Sequence, residues 1–242
     1  MNKVLISTIH ERYQRVLERI ESAAQGSGRD PQAVRLVVVT KAQPLAVVQA
    51  AVVAGVRVLG ENYAEEAVEK ITALRNESEV EWHMIGHVQS RKADLVAEHF
   101  TILHSLDNLK LATRLDHSCA ELGRILPTLL EFNVGGEESK FGFPAWNEKR
   151  WPDLAPEIAS ILQLPHLCVC GLMTMPPYFE DAEKSRPYFQ RMRHLQEFLT
   201  KYFPQAEWCE LSMGTSADFE VAIQEGATYV RVGQAIVGLR PV

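Results

Sequence analysis

Apolar positions along this chain follow two alternating periods. Between residues 4 and 24, Ile6, Ile9, Tyr13, Val16, Leu17 and Ile20 recur at three- and four-residue spacings, which puts them on one helical face. Gly26 and Gly28 predict its end. Val34 to Thr40 is then almost continuously apolar and β-branched, the signature of a strand covered on both faces. Pro44 and Gly55 bracket a second helix, with proline early and glycine just past the end. The two patterns continue to take turns. Further strands are predicted over 56–59, 80–85, 101–106, 127–134, 167–173, 207–211 and 229–232. Helices are predicted over 64–74, 92–99, 108–122, 151–162, 188–199 and 217–225, with Asp107 as a predicted N-cap.

Eight strands alternating with helices imply a parallel α/β sheet. The 242 residues approach the roughly 250 of a (β/α)8 barrel. An open doubly wound sheet is the alternative, because periodicity does not reveal closure. Strand count and length favour a single TIM-type barrel with an extra N-terminal helix. No linker rich in Pro, Gly or Ser divides the chain, so residues 1–242 read as one domain.

Composition narrows the function classes. Hydrophobic residues make up 46% of the chain, which excludes a disordered polymer. The net charge is −6, and the only locally basic spot is Ser90-Arg91-Lys92, so nucleic acid is not an expected partner. No apolar run reaches the roughly 18 residues of a membrane span. The N-terminus turns charged without a long apolar core, so no signal peptide is read. A cytoplasmic protein is expected, with Cys119, Cys168, Cys170 and Cys209 as reduced, buried thiols.

In such a barrel the active face lies at the C-terminal ends of the strands. Several predicted strand ends carry unusual residues. Lys41 follows an apolar strand directly. A lysine there is either a solvated cap or an amine made nucleophilic by an apolar wall, able to form a Schiff base. Ser212-Met213-Gly214-Thr215-Ser216 offers hydroxyls and a close-approach glycine before a helix, and Thr215 to Asp218 has capping-box spacing. It is either an ordinary cap or a phosphate cradle, and Gly233-Gln234 in the next loop favours the cradle. Arg231 lies inside a strand between Val230 and Val232, so it points into the barrel. It either contacts a ligand or pairs with Glu61 or Glu210. His83 and His87 lack metal-site spacing, no metal is expected, and no G-x-S-x-G elbow is present.

Taken in order, Val39-Thr40-Lys41-Ala42-Gln43-Pro44, Gly60-Glu61-Asn62, His83-Met84-Ile85-Gly86, Gly171-Leu172-Met173, Ser212-Met213-Gly214-Thr215-Ser216 with Asp218, and Val230-Arg231-Val232-Gly233 form a specific set. The set resembles the pyridoxal-phosphate homeostasis protein family, which is similar to the N-terminal barrel domain of alanine racemase. The resemblance runs from about residue 10 to the C-terminus. It implies pyridoxal 5′-phosphate (PLP) held as an aldimine on Lys41. It further implies phosphate contacts from Ser212, Gly214, Thr215, Ser216, Gly233 and Gln234. Arg231 would face the pyridine nitrogen, Asn62 would lie beside the ring or its hydroxyl, and Met84 and Met173 would pack near the ring.

Two functions remain in competition: a carrier that holds or delivers PLP to apo PLP enzymes, and a PLP enzyme such as an amino-acid racemase. A phosphosugar enzyme with an imine-forming Lys41 is a third. A charged arginine at the pyridine nitrogen weakens the electron sink. The chain ends nine residues after Gly233, and no second base is evident beyond Tyr63. A monomeric, non-catalytic carrier in vitamin B6 homeostasis is therefore the expected function.

Overall fold

The computed structural model describes residues 2–77 and 79–240; the two ends of the expected 1–242 domain, and Ser78, lie outside them. The strands in chain order are β1 (Arg35–Val39), β2 (Val58–Glu61), β3 (Glu81–Met84), β4 (Ile102–Leu106), β5 (Leu126–Asn133), the two-residue β6 (Phe143–Pro144), β7 (Leu167–Met173), β8 (Glu210–Thr215) and β9 (Tyr229–Val232). All pairings are parallel. The sheet runs β4-β3-β2-β1-β9-β8-β7-β5 with β6 beside β5, and the β4–β5 pairing closes it into an eight-stranded barrel. Closure is the point that periodicity had left open.

Each strand but the last is followed by a substantial helix outside the barrel: α2 (Leu45–Val53), α3 (Ala64–Ala73), α4 (Ala93–His99), α5 (Leu109–Glu121), α6 (Ala155–Leu162), α7 (Arg186–Tyr202) and α8 (Phe219–Gln224). After β9 there is only the four-residue α9 (Gln234–Val237). The N-terminal helix α1 (Lys3–Gly26) takes the vacant place, packing on α8, α2 and α9. Asn2 caps it by accepting from the Val4 and Leu5 N–H groups, an arrangement that contributes about 1 kcal/mol. Arg19 then grips Glu220 through two bonds of 2.9 Å, and Arg29 donates to the Ile223 and Ala227 carbonyls.

Strand alternation sorts the barrel into two cores. Leu36 and Val38 of β1 join the large apolar layer beneath the helices. Val37 joins a small inner cluster with Ile102, Leu129, Met173 and Tyr229. Polar side chains occupy much of the remaining interior, including His83, His104, Thr128, Ser212 and Arg231, all buried.

Several elements differ from their predicted form, among them the short β6, which was not predicted. β2 starts at Val58 rather than 56, because the Arg57 guanidinium turns back to the Val52 and Val56 carbonyls and closes the loop after α2. The N-cap of α5 is Asn108, which accepts from Leu111 N–H at 2.8 Å, while Asp107 faces His87. Residues 148–154 wind as a 3-10 helix before α6, with Pro152 inside it. β8 covers 210–215, so Ser212 to Thr215 lie in the strand and not in a loop. The four thiols are free but not uniformly buried: Cys168 and Cys209 are exposed, since they sit where β7 and β8 begin, at the open N-terminal rim. Among the described residues, no helix is long and apolar enough to cross a membrane.

Candidate functional site

A cavity of about 840 Å³ opens at the C-terminal ends of the strands. Its walls come from several different strand ends, as the fold requires. Val39 and Lys41 follow one another on the inner face of β1 and its extension, and Asn62, Ile85, Glu131, Met175, Thr215, Arg231 and Gly233 contribute from the other strands. Its mouth is ringed by exposed Phe141, Tyr178 and Arg240. The Phe141 ring stacks on His87 at 3.6 Å between centroids.

Lys41 is half-buried in this wall. Burial lowers its pKa, and the neighbouring Arg240 and Arg231 charges lower it further, while Glu61 opposes them. A larger fraction of neutral amine follows, which is the nucleophilic form.

Arg231 is buried, and no carboxylate pairs with it among the described residues. Neither predicted partner reaches it: Glu61 pairs with Lys70, and Glu210 accepts from Thr228. Burial draws its pKa down to about 10, so it stays cationic at neutral pH. It donates to Ser212 Oγ at 2.6 Å, to the Thr174 carbonyl at 2.9 Å and to Met175 Sδ at 2.8 Å. Ser212 Oγ continues to His104 Nδ1 at 2.8 Å, His104 Nε2 to His83 Nδ1 at 3.0 Å, and His83 Nε2 to Glu81 at 3.3 Å. Burial lowers both histidine pKa values, so both rings are neutral. One proton assignment satisfies every link. Ser212 donates to His104, His104 to His83, and His83 to the Glu81 carboxylate, which Arg35 also grips. A single directed chain thus crosses the barrel from Arg231 to its opposite end.

The structure brings Lys41, Asn62, Thr215, Ser216, Arg231, Gly233 and Gln234 to the cavity wall. It does not bring Met84, Met173, Ser212 or Gly214 there. Met84 points outward into the helix layer, because it alternates with His83. Met173 belongs to the inner apolar cluster, and Met175, two residues on, reaches the cavity instead. The Ser212 hydroxyl is engaged by Arg231 and His104, so it anchors the arginine and is not free for a phosphate. Gly214 adopts φ +92°, and a Cβ there would lie 2.6 Å from the Ala222 side chain, so it permits the turn of β8 against α8. Gly86 has a comparable reason: a Cβ would lie 2.4 Å from the Asn62 carbonyl oxygen, so only glycine lets β3 pass close beside Asn62.

Tyr63, weighed as a base, is 58% exposed at the start of α3 and does not line the cavity. Glu131 is the residue that sequence reasoning missed. It is 9% exposed, lines the cavity, and burial with the Asp107 charge raises its pKa to about 7 against the opposing Arg231. Its signal was available in period-two alternation, since Leu129 and Glu131 share the inner face of β5. Two buried oxygens at the wall, Glu131 Oε2 and Asn62 Oδ1, lack a protein hydrogen-bond partner. No group of three or more His, Cys, Asp or Glu side chains that could hold a metal is found among the described residues.

Known proteins resemble this chain in sequence and in fold. The alanine racemase N-terminal domain family matches residues 12–241. A pyridoxal phosphate homeostasis protein of Aquifex aeolicus is 39% identical over 230 residues, which span 95% of this chain and 97% of that protein. Its counterpart in Pseudomonas aeruginosa is 41% identical over 236 residues, 97% of each. PipY of Synechococcus elongatus, solved with PLP bound, superposes with a TM-score of 0.81 at 33% identity, covering 95% of this chain and all of that one.

Proposed function

Because the chain belongs to the family of pyridoxal phosphate homeostasis proteins, we propose that its cavity binds PLP through a Schiff base on Lys41 and that the protein buffers and hands on this cofactor. One observation carries the reading: an amine of lowered pKa shares a cavity with an anchored, buried arginine. The donor set suits the cofactor. Thr215, Ser216, Gly233 and Gln234 line one part of the wall, where hydroxyl and N–H groups would hold the phosphate, Thr215 by turning from Asp218, to which its N–H and hydroxyl donate at 2.7 and 3.1 Å. Asn62 Oδ1 and Glu131 Oε2 are buried oxygens awaiting partners. Arg231 would meet the ring nitrogen with a guanidinium that is always charged.

PLP supplies an aldehyde carbon and, in enzymes, an electron sink. Lys41 would supply the amine that attaches the cofactor, with one water released on attachment. Ile85 and Met175 would present apolar surface to the ring, and Val39, two residues before Lys41, lines the same wall. The exposed rim at Phe141, Tyr178 and Arg240 suits exchange of the cofactor with apo enzymes that require it. The test is borohydride reduction of the yellow protein followed by peptide mapping. The label belongs on Lys41, and a label on Lys140 or Lys92 overturns the assignment. Pyridoxal should bind far more weakly than PLP, and equal affinity would remove the phosphate site.

Glu131 favours a second reading, proton exchange on amino acids, since a buried carboxyl titrating near neutrality can act as acid or base. Incubation with L-amino acids in D2O decides it. Deuterium entering Cα at about 10 s⁻¹, the median enzyme rate, and lost in Glu131→Gln would make the protein an enzyme.

A further inference from the structure

Lys41 is also held from behind. Outside the barrel wall, between β1, β2 and α3, lies a cluster of charged side chains. Glu61 is wholly buried and Lys70 is 4% exposed. Lys70 Nζ donates to Glu61 Oε1 at 2.8 Å, to Glu66 Oε1, and to the Thr40 carbonyl at 2.9 Å. The Thr40 hydroxyl donates to Glu61 at 2.7 Å. The Ala42 N–H donates to Glu66 Oε1 at 2.8 Å.

These contacts converge on one short piece of backbone. The carbonyl before Lys41 and the N–H after it are both fixed by α3. Ala42 adopts φ +56°, a left-handed conformation that an L-residue avoids. Gln43 completes the turn, with its own N–H on the Thr40 carbonyl at 3.1 Å and its side chain donating to the Gly238 and Leu239 carbonyls. Burying the Glu61 carboxylate with the Lys70 ammonium is an expensive way to stabilise a fold, because apolar residues of the same volume often do as well. What the charged cluster supplies is a defined direction for the chain at Lys41.

We propose that Glu66 and Lys70 are positioning residues for Lys41, fixing the Thr40–Ala42 backbone so that the amine faces the cavity, with Glu61 holding Lys70 in place. This rests on the assignment of Lys41 as the Schiff-base lysine. Neither residue touches the cavity. They act only on covalent attachment, through the direction of one side chain, and leave the phosphate contacts of β8 and β9 untouched.

The distinguishing ligand is pyridoxine 5′-phosphate, which carries an alcohol where PLP carries the aldehyde and so cannot attach to an amine. Glu66 is the safer site to vary, since its side chain is 31% exposed. In the full-length protein, Glu66→Ala should lower PLP affinity about tenfold, and shrink the visible imine band, while pyridoxine 5′-phosphate affinity stays within about twofold. Glu66→Gln keeps an oxygen for the Ala42 N–H and should recover most of the loss. Equal losses for both ligands, no loss for either, or a glutamine variant no better than alanine would overturn the proposal. The wild-type protein separates this from failure of the premise. Were it to bind the two ligands equally, and borohydride to label another lysine, the Lys41 assignment itself would fall. A wild type that discriminates, with an unchanged ratio in Glu66→Ala, sinks only the positioning role.

Discussion

Inside the barrel, the groups beneath Arg231 are a serine hydroxyl and two neutral imidazoles, ending on a carboxylate that Arg35 grips. Outside it, the groups behind Lys41 are two carboxylates and an ammonium, packed between the strands and α3. Both clusters are buried except at one end, Glu81 inside and Glu66 outside, and on the proposed reading each aims one cation at the same cavity. The difference follows from what each must hold. Arg231 keeps its charge whatever its surroundings, so neutral acceptors suffice to aim it and a carboxylate would compete with a ligand. On the proposed assignment Lys41 must be free to lose its charge; among the described residues no carboxylate pairs with its amine, and the strong interactions lie on the backbone on either side. The strongest electrostatics lie one peptide away from the reactive nitrogen.

The comparison predicts that the outer cluster is the fragile one. Lys70→Met leaves Glu61 buried without its cation, and removing one partner of a buried pair typically destabilises by about 3–5 kcal/mol. Urea denaturation should show that loss. Replacing both, Lys70→Met with Glu61→Leu, should restore much of the stability but not the affinity for PLP. Recovery of both together would mean that the cluster serves packing alone.

Glu131 gives a second, pH-dependent contrast. Its carboxyl is raised from the ordinary range to about 7 by burial and by Asp107, against the attraction of Arg231. For an acid raised in the folded state, the cost is absent below the unfolded value near 4.5, grows as pH rises, and is complete above about 7. At about 1.4 kcal/mol per pK unit, the limit is about 3 kcal/mol. Glu131→Gln should therefore raise the melting temperature at pH 8 and leave it unchanged at pH 4. A shift of the same size at both would show that the carboxyl is not the titrating group.

A smaller effect is expected along the barrel axis. Ser212→Ala strips Arg231 of one acceptor and His104 of its donor, and an unsatisfied buried group costs about 1–3 kcal/mol. Because the chain is neutral between its ends, that loss should be constant from pH 6 to 9, where denaturation curves can be compared directly. Pronounced pH dependence would mean that an imidazole carries charge.

These two clusters also mark where the sequence was readable. Lys41, Asn62 and Arg231 could be placed at the cavity because strand ends and period-two alternation fix them locally. The same alternation excludes Met84 and admits Ile85 and Glu131, a reading that the run of familiar motifs obscured. Ser212 reads as a phosphate ligand from the hydroxyl-rich run and the family resemblance; the partners its hydroxyl meets, His104 and Arg231, are 108 and 19 residues away in sequence. Likewise nothing local joins Lys70 to Thr40. That contact needs α3, which follows β2, to fold back over the β1–β2 pair. Periodicity reveals the elements, whereas partners across 19 or more residues emerge only once they are packed.

The smallest effect tests whether the turn or its anchors hold Lys41. Ala42→Gly removes a left-handed strain of about 1–2 kcal/mol, but it also frees the unfolded chain, which offsets about 0.4–1 kcal/mol. The net change in stability should stay within about 1 kcal/mol. If Glu66 and Gln43 fix the backbone, PLP affinity should hardly move in the single variant. In a Glu66→Ala background the glycine loses that support, and the affinity should fall further than the two single effects predict. Residues in one hydrogen-bonded unit couple in this way, by about 0.5–3 kcal/mol. Strict additivity would separate Ala42 from the outer cluster. A large loss from Ala42→Gly alone would show that the alanine conformation, rather than the charged groups behind it, aims the lysine.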